Sequence, residues 1–361
     1  KGSSLEMGGV PIGTDPPPFV IAEMSGNHSG SLARALEIVD AAARSGATAI
    51  KLQTFTADSM TLDTDAPGFV IEDPASLWFG RRLYDLYEEA ATPYEWVPVI
   101  MRRAEDRGIL CFSSPFDVNA VEFLDRLGVP CFKIASLENN DHALISAAAA
   151  TGRPVIISTG ASTLEEIDEA VEVARGAGCE ELVLLKCTSS YPAEPEEIDL
   201  RAIPMLRKRY GCEVGFSDHT SGIGVAIAAV ALGASLIEKH LTDDRTAGGV
   251  DAAFSAEPTE MMQLVAECGR ARKSLGQEQI RVAERELGAR SRKRSLYVSA
   301  PIRSGDAFSL ENVRSIRPGG GLSPSLLAEI LGKGATRNLE VGHALRMRDI
   351  AGLTTFGNPK P

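Results

Sequence analysis

Polar and charged side chains stand at the carboxyl ends of the short apolar runs of this sequence, where a buried strand would carry apolar residues. The runs cover residues 19–22, 47–52, 109–112, 130–134, 155–158, 182–186, 213–216 and 235–240. The polar residues at or just after their ends are Glu23, Lys51, Gln53, Ser113, Ser114, Lys133, Ser136, Ser158, Thr159, Lys186, Ser217, His219, Glu238 and His240. Because an unpaired buried charge costs several kcal/mol, the repeated pattern predicts one shared polar site rather than separate structural ion pairs.

Three of these residues are lysines, which together can bind an anion. Lys51, Lys133 and Lys186 lie in different runs of a chain whose formal net charge is −12. A cationic pocket in an acidic protein suits a small ligand that carries phosphate and carboxylate groups. Two other roles stay open, namely ammonium groups that reach solvent along apolar stems and a lysine that forms a Schiff base.

Two histidines and two glutamates add metal-binding and acid–base chemistry. Glu238 and His240 are two residues apart, a spacing that places side chains on one face of a strand. His219 ends the preceding run, so the two imidazoles can meet at one divalent cation, with water and substrate oxygens as further ligands. Ordinary hydrogen-bonded histidines are the alternative. Glu23 and Glu238 are the candidate acid–base carboxylates.

The elements that must position these residues are predicted to form a barrel. The apolar runs alternate with amphipathic segments at 31–44, 118–127, 163–175 and 222–232. Near-continuous apolar strands separated by helices are typical of parallel sheets covered on both faces. About eight such units predict an α/β fold, a closed (β/α)₈ TIM barrel whose strand ends converge on one mouth. An open, doubly wound sheet is the alternative.

Two segments interrupt this alternation. Residues 54–100 are rich in aromatic side chains and predict an elaborated loop over the barrel mouth, in which residues 78–96 either recognise substrate or pack in the core. A charged stretch then separates the barrel from a compact C-terminal region. The predicted boundaries are a tag or disordered arm at 1–15, the barrel at 16–275, a linker at 276–294 and a small second domain at 295–361.

Composition narrows the class of function. With 361 residues, of which 44% are hydrophobic and 24% charged, the chain has the composition of a folded protein, not of a disordered or fibrous one. Its acidity argues against nucleic acid or an anionic membrane as a partner, and its apolar stretches are too short to span a bilayer. Six scattered cysteines without metal-like spacing predict reduced thiols and a cytoplasmic location.

Several segments resemble the signature sequences of the sialic acid synthase family. They lie at 22–28, 51–54, 112–117, 133–136, 187–192, 217–220 and 238–240. The stretch Arg317-Pro318-Gly319 is similar to the C-terminal antifreeze-like (SAF) domain of that family, so the resemblance covers residues 19–351. Further segments resemble the branch of the family that makes pseudaminic acid, and they lie at 24–26, 55–62 and 248–255.

The resemblance to that branch implies an enzyme that condenses phosphoenolpyruvate with a 2,4-diacetamido-2,4,6-trideoxy hexose and water, giving pseudaminic acid and phosphate. The implied ligands of Mn²⁺ or Mg²⁺ are His219 and His240. The implied catalytic residues are Glu23, Glu238, Lys51 and Lys133. The implied substrate-binding residues are Gln53, Ser113, Ser136, Ser158, Lys186, Ser189, Tyr191, Ser217, Asp251 and Arg317. The resemblance also implies a homodimer with swapped C-terminal domains, in which the partner subunit delivers Arg317 to the sugar.

Other functions stay open. Synthesis of N-acetylneuraminic or legionaminic acid would differ only in the sugar that the site accepts. A class II aldolase, or a condensing enzyme for a phosphorylated sugar, would need a further phosphate-binding Arg or Lys cluster, which the sequence does not offer. The C-terminal domain alone would suit a non-catalytic carbohydrate-binding module, since likeness to antifreeze proteins concerns fold and not function.

Overall fold

The first described residues form a β-hairpin. The computed structural model describes residues 5–353. Strands β1 (Leu5–Met7) and β2 (Val10–Ile12) pair antiparallel around two glycines with positive φ, and Met7 and Ile12 are buried in the barrel's apolar core. The predicted disordered arm at 1–15 is therefore wrong for the hairpin, because two apolar side chains anchor it. Residues 1–4 lie outside the described part of the chain.

The apolar runs of the sequence become the strands of a closed barrel. Eight parallel strands follow one another around it, and the last strand pairs with the first. The strands are β3 (Phe19–Glu23), β4 (Ala49–Thr54), β5 (Leu110–Pro115), β6 (Phe132–Ile134), β7 (Val155–Ser158), β8 (Leu182–Cys187), β9 (Glu213–Asp218) and β10 (Leu236–His240). The predicted TIM barrel is confirmed, and the open doubly wound sheet is wrong.

Helices cover the outside of the barrel between the strands. The barrel helices are α1 (Leu32–Ser45), α4 (Val97–Asp106), α5 (Val118–Leu127), α6 (His142–Ala150), α7 (Leu164–Gly176), α8 (Ala202–Tyr210), α9 (Gly224–Ala231) and α10 (Pro258–Ser274). The Thr163 side chain accepts a hydrogen bond from the N–H of Glu166, and the Glu166 side chain accepts one from the N–H of Thr163. This capping box satisfies two backbone N–H groups at the start of α7.

The elaborated loop after β4 forms a strap of irregular chain and short helices, here called the mouth strap (residues 55–90). It contains α2 (Ala57–Met60) and α3 (Leu83–Ala90), and a bridge between Val70 and Arg82 closes the loop between them. Two aromatic contacts hold its beginning, because Phe55 packs against Tyr87 and against Phe116. The predicted elaboration is therefore an ordered part of the barrel unit.

Residues 277–353 form a second compact unit. It contains α11 (Leu287–Arg290), an antiparallel pair of β11 (Ser295–Val298) and β12 (Val313–Ile316), and α12 (Leu327–Ile330). Buried apolar residues, among them Leu296, Phe308 and Leu345, form a core of its own. None of the helices in residues 5–353 has the length and apolar character that crossing a bilayer requires.

Candidate active site

Four charged side chains meet inside the barrel at the carboxyl ends of its strands. The Nζ of Lys51 on β4 lies 3.1 Å from Glu23 on β3 and 3.5 Å from Glu238 on β10. The Nζ of Lys133 on β6 lies 3.7 Å from the same Glu238. These residues, here called the charged cluster, are at most 4% exposed. The predicted convergence of polar strand ends is therefore confirmed for this set, with Gln53 donating a 2.8 Å hydrogen bond to Glu23.

The two glutamates of the charged cluster have opposite environments. Burial is the largest influence on Glu23 and raises its pKa, although Lys51 acts against it. Burial acts in the same direction on Glu238, but Lys133 and Lys51 outweigh it and lower the pKa of that carboxyl. Burial lowers the pKa of Lys133, whereas the two glutamates outweigh burial and raise the pKa of Lys51. Carboxyl groups with diverging pKa values are suited to different proton-transfer roles.

The two histidines predicted as metal ligands lie next to each other. Their ring centroids, His219 after β9 and His240 at the end of β10, are 5.4 Å apart. The Nδ1 of His219 lies 3.0 Å from the carbonyl oxygen of Thr188. Because a carbonyl only accepts, Nδ1 carries the proton, which leaves the lone pair of Nε2 free for a metal. Burial lowers the pKa of His240 well below its ordinary value, so its imidazole is neutral and able to ligate.

The donors at this point fit a divalent cation with an open coordination sphere. Within the described residues, the buried Nδ1 of His240 and Oε2 of Glu238 have no hydrogen-bond partner. Across residues 5–353 no three His, Cys, Asp or Glu side chains are grouped so as to hold a metal by themselves. His219 and His240 would therefore leave positions for water and substrate oxygens, which is the arrangement of a Lewis-acid site.

Hydroxyl groups converge around Gly160, the second residue after β7. A Cβ atom there would come within 2.2 Å of the Oγ of Ser189 and 2.7 Å of the Oγ of Ser136, so only glycine leaves this space open. The N–H of Gly160 donates a 3.0 Å hydrogen bond to Ser136. Ser158 has a buried hydroxyl for which residues 5–353 supply no partner, and Ser217 donates a 3.3 Å bond to the charged cluster. Such donors suit the oxygens of an anion.

Two adjacent serines on β5 face opposite sides of the sheet. Ser114 faces the barrel interior and accepts a 3.3 Å hydrogen bond from Lys51. The hydroxyl of Ser113 instead lies 2.7 Å from that of Thr54, on the outer side of the strands. The prediction that Ser113 binds substrate is therefore wrong, because one step along a strand moves a side chain to the other face. Ser114 is the residue that reaches the charged cluster.

Lys186 does not join the other two lysines. Its neighbour Cys187 occupies the inner face of β8, with Sγ 3.8 Å from the Nδ1 of His219, while the Nζ of Lys186 donates a 3.1 Å bond to the carbonyl oxygen of Cys187. Lys186 lines a hollow to which neither Lys51 nor Lys133 contributes. The predicted pocket of three lysines is therefore wrong in this respect, because alternate positions of a strand face opposite sides.

A cavity of about 350 Å³ lies at the barrel mouth and is lined by both polar and apolar residues. Gln53, Tyr191, His240 and Asp251, all predicted site residues, contribute to its lining. Asp251 accepts a hydrogen bond from Ser25, and its Oδ2 lies 3.7 Å from the Nδ1 of His240. The volume lies in the range of small-molecule binding sites.

One carboxyl group of this cavity, that of Glu138, is not among the residues predicted from the sequence. It lies in the single helical turn that follows β6 and contributes to the same lining as Gln53 and Asp251. Burial raises its pKa from 4.5 to about 7, against a smaller opposite influence of Lys133. The available signal was an acidic residue two positions after Ser136, just beyond an apolar run.

A second buried ion pair, also missed, lies on the outer side of β9 and β10. The Nζ of Lys239 is 2.9 Å from the Oδ2 of Asp218 and donates a 2.6 Å hydrogen bond to the carbonyl oxygen of Thr220. The other oxygen of Asp218 accepts from the N–H and the hydroxyl of Thr220. These three residues directly flank His219 and His240 in the sequence, so the pair ties together the two strand ends that carry the histidines.

Each of the two units matches the model of a known protein family. The model of the NeuB family matches residues 38–280, and that of the SAF domain matches residues 293–351. This chain belongs to the NeuB family. The match includes Lys51, Lys133, His219, Glu238 and His240, and the SAF match lies in the region where the sequence analysis expects an antifreeze-like domain. A lone carbohydrate-binding module therefore does not describe this NeuB-family chain.

Individual relatives agree with the family. The pseudaminic acid synthase of Campylobacter jejuni strain 81-176 is 44% identical over 93% of this chain and 97% of its own, and that of Helicobacter pylori is 37% identical over 92% and 98%. Among solved structures, the N-acetylneuraminic acid synthetase of Leptospira borgpetersenii, in complex with citrate, is 34% identical with a TM-score of 0.71, covering 80% of this chain and 95% of its own. Arg317 lies in the SAF region and is exposed, and its sugar-binding role stays a prediction.

Proposed function

We propose that this protein is a pseudaminic acid synthase. C3 of phosphoenolpyruvate attacks the aldehyde carbon of 2,4-diacetamido-2,4,6-trideoxy-L-altrose, water adds to C2, and phosphate leaves by carbon–oxygen cleavage. One observation carries the proposal: a charged cluster lies beside two adjacent histidines in a NeuB-family barrel, in a chain 44% identical to a protein of that name.

Lys51 and Lys133 supply the charge that binds phosphoenolpyruvate. Both ammonium groups are balanced by glutamates inside the barrel, and an anionic ligand would draw on the same positive charge. Because Gly160 has no side chain, the space next to the hydroxyls of Ser136 and Ser189 stays open. These hydroxyls offer uncharged hydrogen-bond donors to phosphate oxygens. When both ends of phosphoenolpyruvate are held, its binding free energy offsets part of the entropic cost of aligning it with the sugar.

The sugar is held at the mouth cavity, where Gln53 and Asp251 lie close to His240. His219 and His240 would hold Mn²⁺ or Mg²⁺, which as a Lewis acid stabilises the negative charge that develops on the aldehyde oxygen. The amide of Gln53 and the carboxylate of Asp251 orient sugar hydroxyl and amide groups by hydrogen bonds. Glu23 and Glu238 are the groups that accept the proton of the attacking water.

Phosphate release from phosphoenolpyruvate tests this function. The protein is assayed with the diacetamido trideoxy altrose, with a diacetamido trideoxy hexose of another configuration and with a monoacetamido hexose that keeps its 6-hydroxyl. We expect the highest kcat/KM with the first sugar, and loss of activity in strong chelator that Mn²⁺ restores. A higher kcat/KM with another sugar would favour legionaminic or N-acetylneuraminic acid synthesis, and no release with any sugar would refute the proposal.

Substitution of the histidines tests the metal ligands separately. His219→Ala and His240→Ala each remove one imidazole, so we expect Mn²⁺ affinity measured by titration calorimetry to fall by at least about tenfold. The matched control is His142→Ala, whose imidazole is half exposed on α6. Equal Mn²⁺ affinity in the wild type and both site variants would exclude this pair as the ligands.

Assembly and location complete the proposal. We expect a homodimer in which Arg317 reaches the sugar of the partner subunit. A cytoplasmic location is supported by the six cysteines, all free thiols and five of them buried, since such thiols persist in a reducing compartment.

A further inference from the structure

We propose that the apolar side of the mouth cavity selects the sugar by its methyl groups. Ten residues form this wall, here called the apolar wall, and they are Phe55, Met60, Ile71, Trp78, Leu83, Leu86, Tyr87, Phe116, Leu137 and Val250. The inference rests on the proposed function, because it names the part of that site that distinguishes a 6-deoxy, di-N-acetylated aldose from one with a 6-hydroxyl and a single N-acetyl group.

The apolar wall belongs to the same cavity as the polar residues of the site. Its polar lining residues, here called the polar side, are Ser25, Gln53, Ser136, Glu138, Tyr191, His240 and Asp251, and the apolar wall together with Ala90 and Ala135 makes up the rest. A sugar whose hydroxyl and carbonyl oxygens meet the polar side must therefore place its remaining substituents against carbon atoms. Methyl groups are the substituents that gain free energy from such a surface, since they leave water without losing hydrogen bonds.

Fixed contacts hold the wall in place. The indole N–H of Trp78 donates a 2.9 Å hydrogen bond to the carbonyl oxygen of Val250, the residue before Asp251. The rings of Trp78 and Tyr191 also lie 5.9 Å apart. The mouth strap is thus tied to the loop that carries a polar residue of the site, so that the apolar and polar sides keep a defined relation. A preformed surface of this kind discriminates better than a mobile one.

Core packing does not account for all of the wall. Phe55 and Leu86 are 2% and 8% exposed and serve the packing of the strap itself. Met60, Ile71 and Leu83 remain partly exposed although they line the cavity. Their uncovered apolar surface is the surface that a ligand in the cavity would cover.

Discrimination should be substantial but limited. A 6-hydroxyl on the apolar wall would lose its hydrogen bonds to water and find carbon atoms in their place. Apolar pockets reject an isostere with one added hydroxyl by about 10²-fold in kcat/KM. We therefore expect the wild type to prefer the 6-deoxy diacetamido aldose over the 6-hydroxy monoacetamido aldose by about that factor or more.

The test replaces wall carbons by polar atoms of similar shape. The double variant Met60→Gln/Ile71→Thr should lower the ratio of kcat/KM values for the two sugars by about tenfold, mainly through KM for the 6-deoxy sugar, with KM for phosphoenolpyruvate unchanged. Leu62→Gln, on the same strap but 66% exposed and outside the cavity, is the matched control. Met60→Leu should keep the wild-type ratio.

The outcomes separate this inference from the proposed function. If the wild type condenses both sugars with equal kcat/KM, or if the folded double variant keeps the wild-type ratio, the apolar wall does not select and the inference fails alone. If phosphoenolpyruvate releases phosphate with neither sugar, both fail. Thermal unfolding of each variant shows that any lost discrimination is not lost folding.

Discussion

Glu23 is fully buried between a lysine and a glutamine, and burial raises the pKa of its carboxyl group although Lys51 acts against this. Glu23→Gln keeps the shape of the side chain and removes the acid–base function. We expect kcat for phosphate release to fall by at least about 10²-fold, with Mn²⁺ affinity in calorimetry unchanged, because the proposed metal ligands are His219 and His240. Glu37→Gln, exposed on α1, is the control. Unchanged turnover would remove Glu23 from the acid–base groups.

Glu138 gives the folded protein a proton-linked stability. Its pKa is 4.5 in ordinary surroundings and about 7 in the cavity, so unfolding releases a proton between these values. The contribution of this group to the free energy of unfolding therefore falls as pH rises from 4.5 to 7 and is constant above. Urea unfolding of the wild type and Glu138→Gln should show the wild type losing stability relative to the variant over that range. Parallel pH profiles would contradict this.

At the scale of elements, β9 and β10 carry predicted site residues on one face and a buried ion pair on the other. Ser217, His219 and Glu238 face the barrel interior, while Lys239 pairs with Asp218 on the outside. Because successive side chains of a strand point to opposite faces, the same two strands supply polar groups to the barrel interior and an ion pair to its outer side. The ion pair therefore joins the two strand ends that carry His219 and His240.

Breaking this pair should destabilise the barrel. Lys239→Met leaves the Asp218 carboxylate buried with only Thr220 as a partner, which costs about 3–5 kcal/mol of unfolding free energy. Urea unfolding followed by circular dichroism measures the loss. Arg102→Met, which breaks the exposed pair with Glu105 on α4, should change little. The double variant Asp218→Leu/Lys239→Met should recover part of this lost free energy of unfolding. If Lys239→Met alone leaves the free energy of unfolding unchanged, the ion pair does not hold the two strands together.

At the scale of the whole molecule, the open question is whether a site uses residues of two chains. Glu23 lies in the barrel unit and Arg317 in the C-terminal unit, so variants of the two can complement each other in a dimer. If Arg317 acts on the partner's barrel, co-expressed Glu23→Gln and Arg317→Ala chains form mixed dimers with one intact site.

Random pairing of equal amounts makes half of the dimers mixed, so activity should recover to roughly a quarter of wild type, while each variant alone stays weak. Phosphate release by the co-purified mixture is the measurement. Arg314→Ala by itself is the control and should keep wild-type activity, because Arg314 is also exposed and lies three residues from Arg317. A mixture no more active than the variants alone would place Arg317 in its own chain's site or outside any site.

The alternation of apolar runs and amphipathic helices was sufficient to predict the barrel and all eight strands. It also predicted that Glu23, Lys51 and Glu238 converge, because parallel strand ends meet at one mouth whatever the details of packing. These features depend on the local periodicity of apolar residues and on charged residues within apolar runs, and both are visible in the sequence.

The tertiary structure decided which side chains at those strand ends enter the site. Ser114 and not Ser113 contacts Lys51, because the sequence does not show which of two adjacent polar residues points into the barrel. Lys186 points away from the other lysines, because its neighbour Cys187 occupies the inner face of the strand. Glu138 and the apolar wall emerge only where a loop and the mouth strap enclose a common space. Such sites depend on contacts between residues distant in the chain, which local sequence patterns do not encode.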